Sequence, residues 1–154
     1  MSALLENLPR YRAMTIHDLD AVMAIEKVVY PHPWTRGNFS DSLHSGYHCW
    51  MMECGGESVG YIVAMIAAGE AHVLNLSIAA QWQRRGHGSA LLEFLLGFAR
   101  ERGAGRVLLE VRLSNAAGRG LYAAAGFREI ATRRGYYPDY NGREDAIVME
   151  LELK

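Results

Sequence analysis

Between a strand-like run, Ala71 to Ala79, and an amphipathic helix that begins near Ser89, the chain reads Gln83-Arg84-Arg85-Gly86-His87-Gly88. No other stretch constrains the fold as strongly, because a strand that turns on glycine into a helix brings unpaired backbone amides to one point. The first amides of a helix lack intrahelical acceptors and lie at the positive end of its dipole. A diphosphate set against such a turn therefore gains hydrogen bonds and charge attraction together. The spacing Gln-x-x-Gly-x-Gly lacks the lysine and hydroxyl pair of a nucleotide-hydrolysing P-loop, and it has one glycine fewer than the dinucleotide fingerprint. The alternative is a plain tight turn, since glycine marks many helix starts that bind nothing.

The 154 residues have the length of one domain, read here as 1–154, and 50% hydrophobic with 21% charged residues suits a soluble globular core. A net charge of -1 gives no bulk attraction to nucleic acid or to a membrane surface, so neither is expected as a direct partner. Apolar runs fall short of the roughly 18 residues that span a bilayer, and Met1 to Arg10 lacks the basic-then-apolar pattern of a secretory signal. A cytoplasmic protein is expected. Cys49 and Cys54 read as reduced thiols on opposite faces of a strand, and no His or Cys group has metal-site spacing, so no metal is expected.

Along the chain, Tyr11 to Met14 reads as a strand, and Thr15 as the cap of a first helix with Asp18 in its first turn. Pro31-His32-Pro33-Trp34 stops that helix, Thr35 caps a second, and Gly46 ends it. Tyr47 to Glu53, Val59 to Ala67 and His72 to Ala79 read as an antiparallel meander. The third helix carries Leu91, Leu92, Leu95, Leu96 and Ala99 on one face and stops at Gly103. Arg106 to Val111 is the next strand, and it should run parallel to the one before the helix. Asn115 caps a fourth helix that Gly126 ends, and Phe127 to Thr132 with Ala146 to Leu153 close the sheet.

Glu110 is a carboxylate in the otherwise apolar run Leu108-Leu109-Glu110-Val111-Arg112. Burial would raise its pKa toward the working pH of a general base; the other reading is an edge glutamate paired with Arg112 or Arg106. Tyr122 falls two turns after the cap Asn115, and its phenol, with a pKa of about 10, stays protonated beside a thiol of about 8.5. Its alternative is a core tyrosine with the hydroxyl tied to backbone. Glu26, Asp139 and Asp145 are candidates to attract a cationic amine. His72 and His87 read as structural or solvated, with proton relay as the other possibility.

The cradle spacing and the element order together resemble the GNAT (Gcn5-related) N-acetyltransferases. The tail segments Leu109-Glu110-Val111-Arg112, Ser114-Asn115-Ala116-Ala117, Leu121-Tyr122, Gly126-Phe127, Tyr136-Tyr137-Pro138 and Gly142-Arg143-Glu144-Asp145-Ala146 are similar to the RimI-like ribosomal-protein alanine acetyltransferases. The resemblance implies an α/β (α+β) GNAT fold: a mixed, mostly antiparallel seven-stranded sheet, splayed at its centre, with helices on both faces. It implies acetyl-CoA as cosubstrate, held by backbone at Leu76 and Ile78, by the turn Arg84, Arg85, Gly86, His87, Gly88 and Ser89, and by Asn115. It implies Glu110 as general base, Tyr122 as the acid that protonates the leaving thiolate, and Trp34, Tyr136 and Tyr137 as walls for the peptide. Simple closure of the cleft is the competing reading of those aromatics. The activity implied is direct transfer, in a ternary complex, to the N-terminal alanine of a small-subunit ribosomal protein. Acetylation of lysine or a small amine, and a non-catalytic coenzyme-A-binding module, remain the alternatives.

Overall fold

Thr15 and Thr35 open the chain's first two helical segments by the same device. Each side chain accepts from a backbone amide just inside the helical segment, while Asp18 and Asn38 bond back to the threonine amide. At Thr15 the result is a short 3-10 turn, Ile16–Asp18, and the α-helix proper starts after it, at Leu19. The computed structural model describes residues 8–154. The segment 1–7, part of the stretch that lacks a signal pattern and the start of the expected domain, lies outside the described residues.

The elements are β1 (Arg10–Ala13), α1 (Leu19–Val29), α2 (Arg36–His44), β2 (His48–Cys54), β3 (Glu57–Ala67), β4 (Glu70–Ile78), α3 (His87–Glu101), β5 (Arg106–Arg112), α4 (Ala116–Ala124), β6 (Arg128–Asp139) and β7 (Gly142–Glu152). The strands form one seven-stranded mixed sheet in the order β1-β2-β3-β4-β5-β7-β6. Among the described residues no helix is long and apolar enough to cross a membrane.

The chain divides into two compact units, Met1–Ala64 with Asn75–Glu93, and Met65–Leu74 with Phe94–Lys154. In the first, β2 runs antiparallel to β1 from Arg10↔Glu53 to Ala13↔Trp50, and to β3 from His48↔Ala64 to Cys54↔Glu57. Its core is Val22, Phe39, Met51, Met52, Tyr61, Ile62, Leu91 and Leu92, all fully buried. Cys49 and Cys54 are buried free thiols, and burial pushes the Cys49 thiol up to about 11. Gly60 has a steric reason to be glycine, since a Cβ there would lie 2.6 Å from Ser77 O and from Ile78 Cδ1.

In the second unit, β4 is parallel to β5 from Glu70↔Arg106 to Val73↔Leu109, and that register ends short of the C-terminal ends of both strands. β7 runs antiparallel to both β5 and β6. The alternation of β5 buries Val107, Leu109 and Val111, which leaves Arg106, Leu108, Glu110 and Arg112 on the other face. Leu95, Leu96, Ala99 and Met149 complete this core.

The last hairpin differs from expectation. β6 does not stop at Thr132 but continues through Tyr136, Tyr137 and Pro138, so much of the stretch between the two expected strands is itself strand. Proline is compatible with β6 because it is an edge strand, in which alternate amides face away from the ladder.

Gly60→Ala is expected to destabilise the protein by about 2 kcal/mol, because backbone has to move to admit the methyl group. Thermal melting should show a midpoint lowered by about 4–8 °C.

Candidate active site

The turn after β4 is built on two left-handed residues, Arg84 (φ 62°) and Gly86 (φ 84°). For arginine that conformation is strained. The first amide to close a helical bond in α3 is that of Ala90, on Gly86 O at 3.1 Å. Among the described residues, the amides of Arg84, Arg85, Gly86, His87, Gly88 and Ser89 have no protein acceptor. Side chains brace the turn: Trp82 Nε1 donates to Glu57 Oε2 (2.6 Å), His87 Nδ1 lies 3.1 Å from Trp82 O, and the Arg85 guanidinium sits over the Trp82 ring. His87 is therefore tied into the turn, and the amide row is the feature that fits a diphosphate.

Upstream on β4, two backbone carbonyls already hold side chains. Tyr30 Oη donates to Leu76 O at 2.7 Å, and Gln83 Nε2 donates to Ile78 O at 2.9 Å. Each carbonyl keeps a second lone pair for a ligand. Tyr30, which sequence reasoning passed over, also accepts from Ser77 Oγ at 3.0 Å, and burial pushes its phenol up to about 12.

Glu26, one candidate to attract a cationic amine, is 1% exposed. Its Oε1 accepts from Tyr61 Oη (2.6 Å) and Asn75 Nδ2 (3.1 Å), and its Oε2 from the Trp34 amide (2.9 Å). A buried carboxylate with that many donors is a structural node. It pins the Pro33-Trp34 segment, while the Trp34 ring packs 5.0 Å from Phe39.

In the second unit, Glu110 stands between an imidazole and a guanidinium. His72 Nε2 is 2.5 Å from its Oε2, and Arg133 NH1 is 3.1 Å from its Oε1. The expected partners are taken elsewhere: Arg106 bridges Glu70 and Glu150, and Arg112 bonds Glu144 and Pro138 O. Nor does burial raise the Glu110 pKa. The His72 hydrogen bond outweighs desolvation and, with the nearby Arg133 charge, holds the carboxyl below its ordinary value. His72 is thus not merely solvated. Its separation from Glu110 in the sequence left no signal except the parallel register, which sets it beside Leu108 on the same sheet face.

Asn115 Oδ1 accepts from the Gly118 amide at 2.9 Å and so caps α4, where a Cβ at residue 118 would collide with the asparagine. Tyr122 lies on α4, 9% exposed, with its ring edge-on to Phe127 at 5.8 Å. Tyr136 and Tyr137 stack under Arg133 and Arg112 respectively, and their rings are 4.9 Å apart. The irregular step at Gly135 that presents them is held by side chains. Asp145 accepts from the Gly135 amide, and Arg143 donates to Gly135 O and Tyr136 O. Glu144 accepts from the Ser114 amide at 2.8 Å. The run Arg143-Glu144-Asp145 is therefore scaffolding for its neighbours. Among the described residues no group of three His, Cys, Asp or Glu could hold a metal.

Residues 19–127 match the family model described as "Acetyltransferase (GNAT) family", a match that runs through both units. A "[Ribosomal protein bS18]-alanine N-acetyltransferase" of Escherichia coli (strain K12) is 37% identical over 136 residues, 88% of this chain and 92% of that protein. A "Putative [ribosomal protein bS18]-alanine N-acetyltransferase" of Bacillus subtilis (strain 168) is 34% identical, covering 92% of this chain and 94% of its own. The crystal structure of the ribosomal-protein-S18-alanine N-acetyltransferase from Escherichia coli superposes with a TM-score of 0.88 at 34% identity, over 96% of this chain and 95% of that one.

The lowered Glu110 pKa fixes a sign. The stability its partners confer is complete above the ordinary value of 4.5 and is lost as pH falls through the lowered folded-state pKa. Urea midpoints of wild type and Glu110→Gln should therefore differ most near neutral pH and converge as pH falls below 4.5.

Proposed function

The chain belongs to the GNAT acetyltransferase family, and from that premise we propose that it moves the acetyl group of acetyl-CoA onto the N-terminal alanine of a ribosomal protein of the bS18 type. The observation that carries the reading is the row of amides from Arg84 to Ser89, which have no acceptor among the described residues and make a ready site for the coenzyme's diphosphate. Arg84 and Arg85 add charge to it, Leu76 and Ile78 offer backbone to the pantetheine arm, and the Asn115 side chain adds a contact.

The acceptor chemistry favours an α-amine. With a pKa of about 8, roughly a tenth of such amines are neutral at pH 7, whereas a lysine amine of about 10.4 is neutral to well under ~1%. A base of modest strength is then enough. Glu110 supplies the base function on β5, and Tyr122 gives its phenolic proton to the departing thiolate. Trp34 and, separately, Tyr136 and Tyr137 are assigned to contact with the peptide end. Both cysteines are buried, and the Cys49 thiol is pushed up in pKa, which supports direct transfer without an acetyl-cysteine. The activity belongs in the cytoplasm, where ribosomal proteins are made and acetyl-CoA is available.

Tyr122→Phe is expected to lower kcat about 10²-fold while calorimetric acetyl-CoA affinity stays within about two-fold. Mass spectrometry of a peptide with a free N-terminal alanine and an internal lysine should place the acetyl group on the α-amine. Full activity on the same peptide with a blocked N-terminus contradicts the proposal.

A further inference from the structure

The Glu110 carboxylate is occupied at both oxygens, by His72 Nε2 on one and Arg133 on the other. A carboxylate so engaged is a weak acceptor for another proton, and its lowered pKa lies further from that of an α-amine than an ordinary glutamate's. The imidazole beside it is differently placed. His72 is 28% exposed at its side chain, against 12% for Glu110, and among the described residues its Nδ1 has no hydrogen-bond partner.

A carboxylate only accepts, so Nε2 carries the shared proton, and a neutral ring must then present its lone pair at Nδ1. A carboxylate that fixes the tautomer of a histidine and stabilises its cation is a general arrangement for base catalysis. We infer that His72 Nδ1 receives the proton of the attacking amine, and that Glu110 exercises the base function through His72 by orienting the ring and stabilising the imidazolium. This rests on the acetyl transfer proposed above.

The step balances. The neutral amine bonds to the acetyl carbon as the carbon–sulfur bond breaks, and the amine proton passes to Nδ1. The thiolate takes the Tyr122 proton, and the imidazolium and phenolate are reset by one proton exchanged through solvent. The neighbouring charges agree with these roles. Arg133 of β6 favours an ionised Glu110, β7 sets apolar Val148 beside Glu110, and on β4 Glu70 is held by Arg106, which also bonds Glu150 of β7.

The test is the pH dependence of kcat and kcat/KM for an alanine-first peptide, measured for wild type, His72→Gln, Glu110→Gln and the double variant, with acetyl-CoA affinity from calorimetry. Glutamine keeps a donor for the carboxylate but cannot take the proton. His72→Gln should lose about 10²-fold in kcat and the acidic limb of the profile, with KM and coenzyme affinity within about two-fold. The double variant should be no slower than the slower single one. Independently of turnover, the His72 Nε2 proton should resonate downfield in wild type and move upfield in Glu110→Gln. If His72→Gln keeps its kcat and acidic limb while Glu110→Gln is slow, the carboxylate acts alone and the inference fails, with the acetyl transfer intact. If its loss lies only in KM, the inference also fails. A wild-type protein that binds acetyl-CoA and leaves the peptide unmodified contradicts the transfer itself, and this step with it.

Discussion

A backbone amide needs an acceptor, and for those from Arg84 to Ser89 the described residues supply none. The row persists because of where it lies: at the start of α3, on a turn exposed at Arg84, Arg85 and Gly86, where water or an anion can meet the donors. Local geometry keeps it open. Arg84 sits in a backbone region that non-glycine residues rarely adopt, and the Glu57–Trp82–His87 links hold the turn in that shape. Further along the same helix, Leu91, Leu92, Leu95 and Leu96 are buried, so apolar packing anchors the helix that carries the exposed donors.

Two glutamates show how surroundings assign different work to one side chain. Glu26 is buried and accepts from Tyr61, Asn75 and the Trp34 amide, so its charge is spent on holding α1, β3, β4 and the segment after α1 in register. Glu110 keeps partial contact with solvent and pairs with His72 and Arg133. Removing a donor from Glu26 leaves a buried carboxyl group under-satisfied and costs stability.

Much of the fold was legible because it rests on local signals. Thr15, Thr35 and Asn115 act as caps, Leu91 to Ala99 repeat with helical period, and glycines close the turns at 46, 103 and 126. The misread parts depend on partners distant in sequence. The last hairpin runs past Thr132 because β7 pairs with it and because Asp145 and Arg143 satisfy the irregular step at Gly135, which no local propensity encodes. The burial argument for Glu110 failed for the same reason: its pKa is set by a histidine 38 positions away on another strand. Tyr30 carries no local signal of its own, and only the fold reveals its bond to Leu76 O.

The central claim is that the amides of the turn bind the diphosphate of the donor, and it is most directly tested by calorimetry comparing coenzyme A with pantetheine, which has the same thiol arm and lacks the diphosphate. The account predicts measurable binding of coenzyme A and an affinity for pantetheine weaker by at least about 10²-fold, as expected when several charge-assisted hydrogen bonds are lost. Equal affinity for the two compounds would contradict it.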